Sequence, residues 1–330
     1  MTVAILTNKK AESMRLKTRL CELDSSFSIV PCLVKDDLKP NMEIEYIFST
    51  WYMPQFSQDE IKLFFPKLKA IFYAAGTVKQ FAIPFMENGV RIFSSAQANG
   101  IPVAEFTVAQ IILANKGYFQ SQKRIKWPIW KRGFSKARRI AEEHSGNYAK
   151  TVGILGCGTI GSLVVKYLKS YNLSIKVYDP YMAPDRATEL GVSLVQLDEI
   201  FSTCNVISNH MPDIMETKGI IDEKLLKKMP FAATIINTGR GAQINESHLA
   251  KVLRKRKDLS ALLDVTTHEP PFPWSPLYRC RNIFITPHIA GSISDEINRM
   301  IDYTYRSYLD FKNGNLANGE VKINDLKFKA

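Results

Sequence analysis

The feature that most constrains this chain is a glycine run between an apolar strand pattern and an amphipathic helix pattern. Thr151-Val152-Gly153-Ile154-Leu155 reads as a strand, Gly156-Cys157-Gly158-Thr159-Ile160-Gly161 follows, and a helical pattern continues from Ser162. In G-x-G-x-x-G the first glycine permits a tight turn, the second lets backbone approach a pyrophosphate, and the third lets helix and strand pack closely. The unfilled N–H groups at the helix start then face the phosphates. The next strand pattern ends in Val177-Tyr178-Asp179, with Asp179 standing 18 residues beyond Gly161. A carboxylate there accepts hydrogen bonds from ribose hydroxyls and opposes a 2′-phosphate. The expected cofactor is NAD, contacted by Gly156, Gly158, Thr159, Ile160, Gly161 and Asp179.

Around this motif the chain alternates short apolar runs with helical stretches, the pattern of a parallel sheet with crossover helices. Strands are expected at Val3–Leu6, 27–34, Tyr46–Ser49, 69–73 and Arg91–Ser94, and helices at 12–23, 59–65 and 79–88. A long apolar-periodic helix is expected at 103–117. The second series of strands begins at 151 and runs through 174–178, Val206–Asn209, Thr234–Asn237, 261–264 and 283–286. A last helical stretch, 294–313, is too short to stand alone and should pack back on the first domain. The expected domains are 1–101 with 293–330, and 102–292, with a cleft between them.

Composition narrows the class. With 45% hydrophobic and 23% charged residues, the chain has the makeup of a soluble globular protein. The start reads as a strand instead of a secretion signal, and no apolar run approaches the ~18 residues of a membrane span. Five scattered cysteines lack metal-ligand spacing, so no metal and a cytoplasmic setting are expected. The net charge is +12, and nine cations with no acid lie between 116 and 139, among them Lys126, Lys131 and Arg132. Tyr118, Phe119, Trp127, Trp130 and Phe134 interleave with them. This mixture is compatible with nucleic acid, but no binding motif accompanies it. A solvated or oligomer-facing segment is the expectation, with neither nucleic acid nor membrane as partner.

Three later segments offer chemistry at expected strand ends, where open α/β sheets place ligands. Asn237-Thr238-Gly239-Arg240-Gly241 presents a guanidinium whose fork suits a carboxylate. Asp264 closes a strand, and Glu269 precedes Pro270. In Thr286-Pro287-His288, the histidine becomes an acid/base candidate once paired with a carboxylate.

Taken together, these residues resemble the D-2-hydroxyacid dehydrogenase family. The order is the same: glycine turn, Asp179, 237–241, Asp264 through Glu269-Pro270, then Pro287-His288, with Glu269 and His288 19 residues apart. Residues 98–105 are also similar to the stretch that opens the family's interdomain helix. The resemblance implies two doubly wound α/β domains, a Rossmann NAD domain and a flavodoxin-like substrate domain. It implies an NAD-dependent enzyme interconverting a small D-2-hydroxy acid and its 2-oxo acid, assembled as a two-fold homodimer. His288 would be the acid/base, Glu269 its partner, Arg240 the carboxylate anchor, and Asp264 the holder of the nicotinamide amide. Ala75, Gly76 and Thr77 would offer backbone N–H groups to the substrate carboxylate, and Trp51 would line its side-chain pocket. Val103, His210, Pro212 and Thr238 complete the expected cofactor site. Residues 74–79 and the bulky Trp51-Tyr52-Met53 depart from many relatives, which bears on the substrate and not on the chemistry. The alternative is an NAD-binding regulatory protein of the same fold, similar to transcriptional corepressors.

Overall fold

The structure, a computed structural model, describes residues 2–125 and 130–327. The chain forms two units, Met1–Asn99 with Ser292–Ala330, and Gly100–Gly291. The expected joins lay one or two residues later.

In the first unit the runs VAIL, YIFS, AIFY and RIFS become strands β1 (Val3–Leu6), β3 (Tyr46–Ser49), β4 (Ala70–Tyr73) and β5 (Arg91–Ser94), and β2 is Cys32–Leu33. β3 and β4 are buried along their whole length, as expected of strands covered on both faces. The sheet order is β2-β1-β3-β4-β5, all parallel, and Glu320–Val321 adds an antiparallel edge on β5. This is the flavodoxin-like doubly wound order. Phe48, Phe72 and Phe93 stand in register on β3, β4 and β5 and stack at 5.3 and 5.1 Å. The C-terminal helix Glu296–Lys312 lays Tyr308 edge-on against Phe48 and Phe72 and Phe311 against Phe93. That aromatic face brings the last helical stretch back to this unit. Each ring pair is worth roughly 0.5–1.5 kcal/mol beyond its buried area.

One expected strand is corrected. Residues 27–34 are not extended throughout: Ser25–Ile29 is a 3-10 turn, and only Cys32–Leu33 pairs. The Asp24 carboxylate accepts from the Ser26 N–H at 2.9 Å, and the Phe27 ring turns inward to meet Phe48 at 5.3 Å.

The second unit carries seven parallel strands: β6 (Lys150–Leu155), β7 (Leu173–Tyr178), β8 (Ser193–Leu194), β9 (Val206–Asn209), β10 (Thr234–Asn237), β11 (Ser260–Leu263) and β12 (Ile283–Ile285). Their order is β12-β11-β10-β9-β6-β7-β8. The chain winds outward from β6 through β7 and β8, then returns to the other side with β9. This is the Rossmann arrangement, and the reversal between β6 and β9 is the switch point where such sheets bind ligands.

The long helix runs from Ala96 to Asn115 with Pro102 inside it, starting well before the expected 103. Its sequence hides the start behind Gly100 and Pro102, both poor helix residues, while the Ser94 hydroxyl accepts from the Ala96 N–H. The basic segment forms two helices, Tyr118–Ile125 and Trp130–Glu142. It is not solvated throughout. Phe119 packs on Phe284, the Lys123 ammonium sits 3.9 Å over the same ring, and Gln120 bonds Ser260. Lys126 and Trp127 lie outside the described residues, as do the side chains of Trp130, Lys131 and Arg132. No helix among the described residues is long and apolar enough to cross a membrane.

Candidate active site

The carboxyl ends of β6 and β7 meet at the glycine turn. Gly156 has φ +81°, and a Cβ there would lie 2.8 Å from the His210 carbonyl oxygen. A Cβ on Gly161 would lie 2.2 Å from the Gly156 carbonyl oxygen, so this glycine is required for the helix to meet the turn. Gly158 is different: a Cβ there would meet nothing within 4 Å. Gly158 is also the N-cap of the helix Thr159–Leu168, and no side chain caps it. An open approach to uncapped N–H groups at a ten-residue helix fits the pyrophosphate of NAD. Asp179 closes the far side. Its carboxylate accepts from the Cys157 N–H at 2.8 Å and the Tyr181 N–H at 2.9 Å, which fixes it beside the turn.

The next two strand ends carry a buried amide lattice that sequence reasoning missed. Asn209 and Asn237 are in-register partners at the ends of β9 and β10. Asn209 donates to the Asn237 Oδ1 at 3.0 Å and to Gln243. Gln243 donates to the carbonyls of Met211 and Pro212 at 2.6 and 2.9 Å and accepts from the Arg240 N–H. Asn237 donates to the Arg240 carbonyl at 2.9 Å. The only sequence signal for this was an asparagine ending each of two neighbouring strands. The lattice shapes the loops of Pro212 and Arg240 together. Arg240 Nη1 donates to the Gly239 carbonyl at 2.8 Å, and among the described residues no carboxylate lies within ion-pairing distance of the guanidinium. His210 places Nε2 2.9 Å from the Ser208 hydroxyl, and burial pushes its imidazole down to about 4. Thr238 directs its hydroxyl to Thr107 at 2.9 Å, and Val103 is buried in the long helix.

At the ends of β11 and β12 the sequence-selected pair comes together. His288 Nδ1 lies 2.6 Å from Glu269 Oε2, with the two side chains 52% and 39% exposed. Among the described residues Nε2 of His288 has no partner. Asp264 stands beneath them, 2% exposed. Its carboxylate, expected to hold the nicotinamide amide, also ties the loop of His288: it accepts from Thr286 Oγ1 and Ile289 N on Oδ1 and from Ala290 N on Oδ2. The aligned strand ends thus present, in order along one sheet edge, His288, Glu269 with Asp264, Arg240, the glycine turn and Asp179. Among the described residues no cluster could hold a metal ion.

The first unit has its own receptive loop. After β4, the Ser94 hydroxyl donates to the carbonyls of Ala75 and Gly76 at 3.1 and 2.5 Å. Their oxygens are drawn toward Ser94, and among the described residues the N–H groups of Ala75, Gly76 and Thr77 have no acceptor. Trp51 packs against both hydrophobic clusters of this unit, while its neighbour Tyr52 is exposed.

Comparison with known proteins meets this geometry. The sequence profile of the D-isomer specific 2-hydroxyacid dehydrogenase NAD binding domain matches residues 108–290. This chain belongs to the D-isomer specific 2-hydroxyacid dehydrogenase family. Among family relatives, D-3-phosphoglycerate dehydrogenase of Archaeoglobus fulgidus is 32% identical over 206 residues, 62% of this chain and 38% of that protein. The glyoxylate reductase of Korarchaeum cryptofilum is 28% identical over 261 residues, 78% of each chain. The chain therefore spans only 38% of the length of the first phosphoglycerate dehydrogenases it matches. Solved structures share the fold. Rhodotorula graminis D-mandelate dehydrogenase superimposes with a TM-score of 0.78 at 18% identity, covering 97% of each chain. An NAD-complexed D-isomer specific 2-hydroxyacid dehydrogenase of Lactobacillus delbrueckii ssp. bulgaricus gives 0.76 at 19% identity, covering 97% of this chain and 100% of that one. The matched stretch, 108–290, spans the glycine turn, Asp179, Arg240, Glu269 and His288.

Proposed function

We propose that this protein is an NAD-dependent dehydrogenase that interconverts a small D-2-hydroxy acid and its 2-oxo acid. The observation that carries the reading is the His288–Glu269 contact at 2.6 Å, with Nε2 of the ring free, on the sheet edge that holds the glycine turn. Bound NAD supplies a hydride acceptor, and NADH a hydride donor, for carbon 2 of the substrate. His288 Nε2 gives a proton to the carbonyl oxygen during reduction and takes one from the hydroxyl during oxidation. Glu269 holds Nδ1 and faces the charge that the ring carries when doubly protonated. Arg240, with guanidinium N–H groups to spare, binds the substrate carboxylate or steadies the oxygen as charge develops. The N–H groups of Ala75, Gly76 and Thr77 receive a carboxylate oxygen. Pro212 and Thr238 shape the cofactor site through their loops. The glyoxylate reductase relative, matched over most of both chains, supports a short 2-oxo acid as substrate.

We take the assembly to be a two-fold homodimer. A cytoplasmic setting is in keeping with five free cysteines. A regulatory protein of this fold would use the basic segment as its partner surface, and part of that segment packs on Phe284. The test is NADH oxidation against a panel of 2-oxo acids. Turnover of at least one is the expected result, and NADH binding without turnover of any would overturn the reading.

A further inference from the structure

His288 is held in the left-handed backbone region, φ +54°, which few residues other than glycine adopt. What keeps it there comes chiefly from Asp264, beside a tight turn in which the His288 N–H also reaches the Thr286 carbonyl at 3.0 Å. The Asp264 carbonyl accepts the His288 N–H at 3.0 Å. The Asp264 carboxylate accepts Thr286 Oγ1 at 2.6 Å and Ile289 N at 2.9 Å on Oδ1, and Ala290 N at 2.9 Å on Oδ2. Residues 286–290 therefore wrap around one buried carboxylate with His288 at the crest. The two halves of the wrap are fastened differently. After His288, two backbone N–H groups reach the carboxylate. Before it, Pro287 has no N–H, and the Thr286 N–H is already given to the Leu263 carbonyl in the sheet ladder. The Thr286 hydroxyl is thus the one fastening from the N-terminal side to the carboxylate.

We infer that the Thr286 hydroxyl and the Asp264 carboxylate are a positioning pair that aims the His288 imidazole at Glu269 and at the substrate oxygen. The inference rests on the acid/base reading of His288 and names what fixes that residue's direction. Neither member touches the reacting atoms. Their contribution is to hold a left-handed turn that would otherwise relax and swing the ring away from Glu269. Loss of alignment of about 1 Å at a catalytic group costs on the order of 10²-fold in rate.

The test compares Thr286→Val, which keeps the shape and removes the donor, with Thr286→Ser, which keeps the donor. Thr286→Val should lower kcat for 2-oxo acid reduction by roughly 10- to 100-fold. KM for the oxo acid and Kd for NADH should stay nearly unchanged, and Thr286→Ser should restore most of kcat. A second readout needs no turnover. Long-range proton–nitrogen NMR on 15N-histidine protein reports which ring nitrogen carries the proton, and His288 is identified by its loss in His288→Gln. The neutral ring should carry its proton on Nδ1, toward Glu269, in wild type and Thr286→Ser, and lose that preference in Thr286→Val. Wild-type kcat and an unchanged tautomer in Thr286→Val would overturn the inference, as would a Thr286→Ser enzyme as slow as Thr286→Val. Should wild type reduce no 2-oxo acid, the dehydrogenase reading fails by itself, and the NMR comparison still decides the positioning role.

Discussion

At the scale of single residues, the candidate site holds side chains proposed to meet ligands and side chains that fix the loops around them. Asp179 is fixed by the N–H groups of Cys157 and Tyr181 and cannot easily swing away from an incoming 2′-phosphate. Wild type should therefore show higher kcat/KM with NADH than with NADPH, and Asp179→Ser should narrow the gap; a wild-type preference for NADPH would contradict this. His210 makes a different kind of prediction. Its imidazole is held at about 4 in the folded protein against an ordinary 6.5. Between those values the unfolded chain binds a proton that the folded chain does not. The associated stability is present above pH 6.5 and is lost as pH falls toward 4. The loss is on the order of 3 kcal/mol, and His210→Gln should flatten that part of a melting-temperature profile against pH. The placing of His288, Glu269, Arg240 and Asp179 at strand ends, and the contact of the first two, were legible in the sequence because strand-end loops there carry charged side chains between glycines and prolines. Thr286 and Ser94 were not, because a hydroxyl matters only through the loop that folds around it.

Elements were most legible where burial is complete. Tyr46–Ser49, Val206–Asn209 and Thr234–Asn237 read directly as strands because both faces are covered and each is a short run built round two or three apolar residues and closed by a polar one. The 27–34 stretch looked the same, but Phe27 is apolar for a tertiary reason, its contact with Phe48, and the Asp24-Ser25-Ser26 start favours a turn. The helix start at Ala96 was masked by Gly100 and Pro102. The lattice that joins the loops after β9 and β10 was equally invisible, since pairing of Asn209 with Asn237 depends on strand order. It yields a prediction about elements. Gln243→Leu would strand Asn209, the Arg240 N–H and two carbonyls, lowering stability by on the order of 3 kcal/mol. With the Arg240 loop loosened, KM for the oxo acid should rise more than Kd for NADH. Thermal melts and steady-state kinetics check both, and an unchanged KM would separate the lattice from Arg240.

At the scale of the whole molecule, both sheets are built of parallel strands with crossover helices, as the alternation visible in the sequence implies, while the strand orders come from the structure. The flavodoxin-like order of the first unit and the Rossmann order of the second each put functional loops at carboxyl strand ends. The apolar rings Tyr118 and Phe134 stay exposed on the two basic helices, in keeping with a surface that a second copy covers. Light scattering at micromolar concentration should give twice the 37.4 kDa chain mass, and a monomer would remove the dimer proposal. The central claim is that His288 moves the substrate proton. Its most direct test is the single-turnover rate of oxo acid reduction by His288→Ala, measured beside NADH affinity. The account predicts a fall of roughly 10²–10⁴-fold in rate with NADH affinity nearly intact; a rate close to wild type would contradict it.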